Sequence, residues 1–310
     1  MYQVILQLPP EQRPPKDIYL KFYFLAEKIK HYNAVLDEGI NRLQTELDSH
    51  GLKCCILKGQ GVALLYPNPK SRNPGDIDAW CLGGRDYIIS RLSDYKINDI
   101  VIHHADIDIL KGIPVELHFI PSWFYSPFTN YRFKKWCNST AKKQFENYNL
   151  KGFCSPTISF NLVYSLIHIY KHLFDEGIGL RQLMDYYFIL KHSTIEERNE
   201  AYMHLASFGM KHFVGAVMYV MVVMFDMNDE YLLCLPSEKY GKHLLNEIWT
   251  GGNFGQYNRK GVSGRENLIK RGIRKMKRNL NVVTYYPSEV LWSPFWKCWH
   301  WCWRKRHGYL

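Results

Sequence analysis

The chain has 310 residues, 46% apolar and 22% charged, with a net charge of +11, a composition that suits a soluble protein with room for two cores. Its longest strongly apolar stretch, Phe213 to Phe225, has 13 residues, too few for a helix that crosses a bilayer. The eight cysteines include the adjacent pair Cys54-Cys55 and read as reduced thiols of a cytoplasmic protein, without a disulfide framework or paired Cys-x-x-Cys zinc ligands.

The charge excess is confined to one end. Residues 259–310 carry 13 Lys and Arg against Glu266 and Glu289, whereas residues 1–258 balance at 27 basic and 27 acidic. The run Arg259 to Arg278 and the tail Arg304-Lys305-Arg306 suit a triphosphate, a polyanionic acceptor or nucleic acid, and equally suit a solvated helix face.

In chain order, Met1 to Lys16 lacks the basic start of a secretory signal. Asp17 to Gly51 then has helical spacing at Ile18, Phe22, Leu25, Ile29, Tyr32, Leu36, Ile40, Leu43 and Leu47, which predicts two helices with a break near Gly39. Lys53 to Leu57 is a buried strand that feeds the turn Lys58-Gly59-Gln60-Gly61 and a short helix, Val62 to Tyr66. Such a turn can present backbone N–H groups to phosphate, or simply end a strand and start a helix. The loop Pro67 to Gly75 holds three prolines, which keep it extended, and carries Arg72. Asp76-Ile77-Asp78 opens the next strand. There the two residues share a face, about 6.6 Å apart along the strand, and their carboxylates can share hard cations such as Mg²⁺, which select oxygen ligands on a rigid element; a polar strand face or turn has the same pattern.

Arg85 to Leu92 is a short helix, and Ile97 to His103 and Asp106 to Leu110 are strand candidates. Ile113 to Phe119 alternates, with Val115, Leu117 and Phe119 on one face and Glu116 and His118 on the other. Ile120 to Gly152 reads as irregular and aromatic, its rings sealing the sheet rather than stacking bases. Beyond Pro156 the spacing is helical. Thr157 to Phe174 bears His168 and His172 at i, i+4 without the His-Glu-x-x-His of zinc proteases, so both read as core or interdomain histidines. Arg181 and Asp185 share a helix face one turn apart. Helices follow at Ile195 to Ser207, Lys211 to Phe225 and Lys239 to Trp249. Gly251 to Gly255 then breaks the pattern before another helix with Leu268, Ile269, Ile273 and Met276. Trp292, Trp296, Trp299 and Trp303 form a stripe expected to pack on the bundle rather than lie on a membrane. Cys298, His300 and Cys302 on the same helix read as packing, not as metal ligands. The predicted class is α+β: a small mixed β-sheet domain flanked by helices over residues 1–154, then an all-α bundle domain over residues 155–310.

The glycine turn followed by Asp76-Ile77-Asp78 resembles the nucleotidyltransferase superfamily typified by DNA polymerase beta and the aminoglycoside nucleotidyltransferases. More narrowly, Leu57-Lys58-Gly59, Leu64-Leu65-Tyr66-Pro67, Arg72-x-x-Gly75-Asp76-Ile77-Asp78 and the later Gly-x-x-Leu-Arg-x-x-x-Asp run ending at Asp185 resemble an uncharacterised bacterial nucleotidyltransferase family. Gln60 departs from the Ser or Gly usual in the superfamily.

The resemblance implies metal-dependent transfer of a nucleoside monophosphate from an NTP to a hydroxyl or phosphate acceptor, a small molecule being favoured. Asp76, Asp78 and Glu116 would hold two Mg²⁺ ions, for which Mn²⁺ can substitute, and Lys58, Gly59, Gln60, Arg72 and Arg181 would bind the nucleotide phosphates. Two ions about 3.5–4 Å apart clamp an in-line displacement, which is the chemical reason for a third carboxylate. An RNA-modifying, toxin-like enzyme and a non-catalytic nucleotide-binding module are the alternatives.

Overall fold

The computed structural model describes residues 2–175, 177–251 and 283–309. The basic run Arg259 to Arg278, the glycine break after Gly251 and the helix expected around Leu268 to Met276 lie outside the described residues.

A short helix, α1 (Tyr2–Gln7), precedes a long one, α2 (Lys16–Ser49). The expected break at Gly39 is absent: α2 runs through it without interruption. The glycine serves proximity instead, since a Cβ at position 39 would lie 2.6 Å from Ile113 Cδ1. Its bare backbone lets the helix settle against the sheet, at a cost in helix propensity of roughly 1 kcal/mol relative to alanine.

Five strands follow: β1 (Cys54–Leu57), β2 (Ile77–Cys81), β3 (Ile97–Ile100), β4 (His104–Ile107) and β5 (Val115–His118). They form one mixed sheet in the order β1-β2-β5-β4-β3. β1 and β2 run antiparallel, β2 and β5 parallel, and β4 and β5 antiparallel. Helix α3 (Gly59–Ala63) starts earlier than its apolar residues suggested, and α4 (Arg85–Arg91) follows β2. The β3–β4 pair is shorter than expected and leaves His103 in the connection.

One face of the sheet, with Ile77, Ala79, Val115 and Leu117, packs under Leu36, Ile40, Leu43 and Leu47 of α2. Each such fully buried aliphatic side chain contributes roughly 1.5–3 kcal/mol. The other face presents Trp80, whose ring centroid lies 4.9 Å from Phe145 and 5.7 Å from Phe160. Phe145 belongs to α5 (Pro127–Phe145), a 19-residue helix in the stretch read as irregular. Its start is marked by Ser126, whose side chain accepts from Thr129 N, and by Pro127 in the first turn, both favoured at a helix N-terminus. Phe133 and Trp136 of α5 are buried against the helical region, so the aromatic stretch does seal the sheet.

The helical region comprises α6 (Ile158–Asp175), α7 (Leu180–Lys191), α8 (Ile195–Ser207), α9 (Lys211–Phe225) and α10 (Glu238–Gly251). The last described helix is α11 (Pro287–Arg306). The chain is thus an α+β protein, a mixed five-stranded sheet with flanking helices followed by a helical C-terminal region. Among the described residues no helix is long and apolar enough to cross a membrane.

The tryptophan stripe packs, but only partly on the bundle. Tyr286, just before α11, meets Tyr170 and Phe213 with ring centroids 5.5 and 5.8 Å apart. Further along, Trp296 stacks on Trp123 at 4.0 Å and 8°, and Trp303 lies under Arg85 at 4.7 Å. Trp292 and Trp299 stay partly exposed. The half-buried line is Trp296, His300 and Trp303, whose rings stack in succession.

Candidate active site

A cleft of about 460 Å³ opens between the sheet and the helical region, lined by Lys58, Asp76, Asp78 and Glu116 on one side and by His168, Lys171 and Arg181 on the other. That volume suits a small-molecule ligand.

Strand register builds its floor. Leu57 pairs with Asp78, Asp78 with Glu116, and Glu116 with Asp106. Trp80 and His118 are likewise paired, as are His118 and His104. Because side chains alternate along a strand, these two rows lie on the cleft face. Asp76 precedes β2 rather than belonging to it, yet its carboxylate still converges: oxygens of Asp76, Asp78 and Glu116 lie within 4.8 Å of one another.

Lys58 follows β1 and reaches Asp78 Oδ1 at 2.8 Å, with His168 Nε2 3.5 Å away. Its backbone has φ 46°, and Gly59 follows at φ 40°. A side-chain-bearing residue at positive φ is strained by about 1–3 kcal/mol. The compact turn is further forced at Gly61, where a Cβ would lie 2.6 Å from Ile56 O.

Electrostatics centre on Asp78, 3% exposed. Burial would raise its pKa, but the Lys58 ammonium and a 2.9 Å contact with His118 Nε2 outweigh that and hold it well below the usual carboxylate range. Burial opposes charge on His118 too, and the hydrogen bonds to Asp78 and Glu116 overcome it, lifting the imidazole to about 9. Asp76 moves the other way: the Asp78 charge, then burial, raise its pKa. Burial would raise Glu116 as well, but its hydrogen bond with His118 prevails and lowers it. Ionised carboxylates this close repel, and a divalent cation relieves the repulsion.

The remaining sequence candidates divide. Gly59 lines the cleft, as does Arg181, whose Nη1 donates to Pro74 O at 2.8 Å. Gly75 permits that approach, since a Cβ there would lie 3.2 Å from Arg181 Nη1. Arg72 also borders the cleft but is 5% exposed, and its Nε and Nη2 each donate at 2.8 Å to a different oxygen of Asp185. Tyr66 Oη donates to the same carboxylate at 2.6 Å. The partner of Arg72 is therefore Asp185, 113 residues on, rather than Asp76 or Asp78. Gln60 turns away from the cleft: its amide donates to Asp37 Oδ1 at 2.6 Å, on the α2 side.

Other residues of the cleft were not read as site residues from the sequence. His104, the first residue of β4, and His103 just before it line the cleft, and the only local signal was a His-His pair entering a strand. His168 and His172, placed in the core or between domains from the sequence, line the cleft with Nε2 atoms 3.0 Å apart. Trp123 lies at its edge with the Lys171 ammonium 3.3 Å from its ring centroid, close enough for a cation–π contact.

No curated protein matches the chain. Among solved structures, the chain is similar to an antigenic nucleotidyltransferase-like protein from Paracoccidioides brasiliensis, at 12% identity and a TM-score of 0.36, over 69% of this chain and 96% of that one. The family described as "Uncharacterised nucleotidyltransferase" matches residues 1–226, well over half of the chain, and the protein with its Asp76, Asp78 and Glu116 cluster belongs to that family.

Proposed function

We propose that the protein transfers a nucleoside monophosphate from an NTP to a hydroxyl or phosphate acceptor and releases pyrophosphate. The observation that carries this reading is the convergence of Asp76, Asp78 and Glu116 within 4.8 Å, in a chain of this family. The three groups offer hard oxygen donors, and the raised pKa of Asp76 beside Asp78 marks an excess of negative charge that divalent cations fit. Bound there, Mg²⁺ or Mn²⁺ would neutralise the triphosphate and acidify the attacking hydroxyl.

The chain's own residues supply the rest. Lys58 and Arg181 border the cleft from opposite sides and direct positive charge at the phosphates, with Gly59 giving close backbone access. Arg72 acts through position: its bond to Asp185 ties the Asp-x-Asp loop to α7. Glu116, held in its ionised form by His118, takes the proton of the acceptor hydroxyl. The α-phosphorus then gains a bond to the acceptor oxygen and loses its bond to the pyrophosphate oxygen. Catalysis of this kind rests on positioning and charge neutralisation.

The test is incubation with each of the four α-labelled NTPs and Mg²⁺, with total RNA, a small-molecule extract or no acceptor. Label transfer with matching pyrophosphate release is expected, and is abolished in Asp78→Ala. NTP binding without product in every arm would leave a nucleotide-holding protein.

A further inference from the structure

The cleft floor holds a second group of donors that overlaps the carboxylate cluster only at Glu116. His104 and Asp106 on β4 face His118 and Glu116 on β5 in antiparallel register, so four side chains form a block on one face. Glu116 Oε2 lies 3.4 Å from His118 Nε2 and 4.0 Å from His104 Nδ1, and one ligand atom from each residue fits within 4.8 Å.

We propose that His104, Glu116 and His118 form a separate position for a transition-metal dication, adjoining the carboxylate position through the shared Glu116. It depends on the nucleotidyl-transfer reading only in that Glu116 serves both.

Three observations support the assignment. The first is spacing: four ligands about 2.05 Å from a tetrahedral ion stand about 3.3 Å apart, the Glu116 to His118 separation is close to that edge, and an ion there takes the place of the proton that His118 Nε2 shares with Asp78 and Glu116. The second is an orphan, since His104 Nδ1 is buried without a hydrogen-bond partner, a state that costs free energy unless something binds there. The third is what stands behind the ring. His104 Nε2 faces Asp106 Oδ1 at 3.6 Å, and that oxygen too is buried without a partner. A carboxylate behind a histidine is how metal-ligating imidazoles are oriented.

The donor set also chooses the ion. Two imidazoles and one carboxylate suit Mn²⁺, Co²⁺ or Zn²⁺, whereas Mg²⁺ prefers oxygen alone. The cleft would then hold two unlike cations, a hard one among Asp76, Asp78 and Glu116 and a borderline one between the strands.

The test is Co²⁺ titration of the untagged full chain, followed by visible absorption and metal content, with the exposed thiols Cys298 and Cys302 replaced by serine to remove competing ligands. One Co²⁺ per chain with intense low-coordination bands is expected, resistant to a large excess of Mg²⁺. Affinity should fall on the order of 100-fold in His104→Gln and about 10-fold in Asp106→Asn, and should persist in Asp76→Asn. The milder Asp106→Asn keeps the test informative if His104→Gln fails to fold. Unchanged binding in both variants, displacement by Mg²⁺, or loss on His168→Gln instead would overturn the assignment. Co²⁺ binding that depends on His104 in a protein without NTP turnover would sink the proposed function and leave this site standing.

Discussion

Two carboxylates border the same cleft and are treated in opposite ways. Asp185 is closed: both oxygens are taken by Arg72, Tyr66 adds a third bond, and every donor is buried or nearly so. Asp78 is contested: Lys58 and His118 meet on one of its oxygens while Asp76 and Glu116 crowd the same space. A satisfied network fixes geometry, whereas a crowded one gains by exchanging partners for a ligand. On the proposed function, positioning and chemistry fall to separate acids.

The largest expected effect separates them directly. Asp76→Asn removes a charge that its neighbour disfavours, so pyrophosphate release should fall on the order of 10⁴-fold, about 5 kcal/mol, with the melting temperature unchanged or raised. Equal losses of activity and stability would erase the distinction. Asp185→Ala should do the reverse, costing about 3–5 kcal/mol in denaturant unfolding because it strands a buried guanidinium. Part of that loss should return when Arg72 is replaced by methionine in the same chain. Mg²⁺ at a hundredfold over its dissociation constant should stabilise the wild type by about 2.7 kcal/mol in thermal unfolding, and should not stabilise Asp76→Asn. Smallest is Tyr66→Phe, which removes one hydrogen bond to a charged acceptor and should cost about 1.5 kcal/mol with turnover intact.

What the sequence disclosed and withheld follows the range of the forces involved. Asp76 and Asp78 stood out because motif spacing is local, whereas alternation only put Glu116 on a polar strand face and the family resemblance singled it out as the third carboxylate. The uninterrupted α2 was hidden because the need for Gly39 comes from Ile113, in the distant connection between β4 and β5. Helix α5 was hidden because its aromatic residues carry little helical periodicity, though Ser126-Pro127 was a start signal in plain view. The Arg72–Asp185 bond spans 113 residues, and no periodicity reports a contact of that kind. The His104 to His118 row needed the pairing of β4 with β5, which is a property of the folded sheet.

One feature at the far end of the chain bears on the cleft wall. Glu289, in the first turn of α11, accepts from the backbone amides of Tyr125 and Ser126 at 2.8 and 3.1 Å, two and three residues after Trp123, against which Trp296 is stacked. The family match ends at residue 226, so the cleft edge at Trp123 is buttressed by a segment that the shared region does not contain. A protein trimmed before Pro287 would keep every acid of the floor and lose the splint behind its tryptophan, together with the carboxylate that those two amides bond.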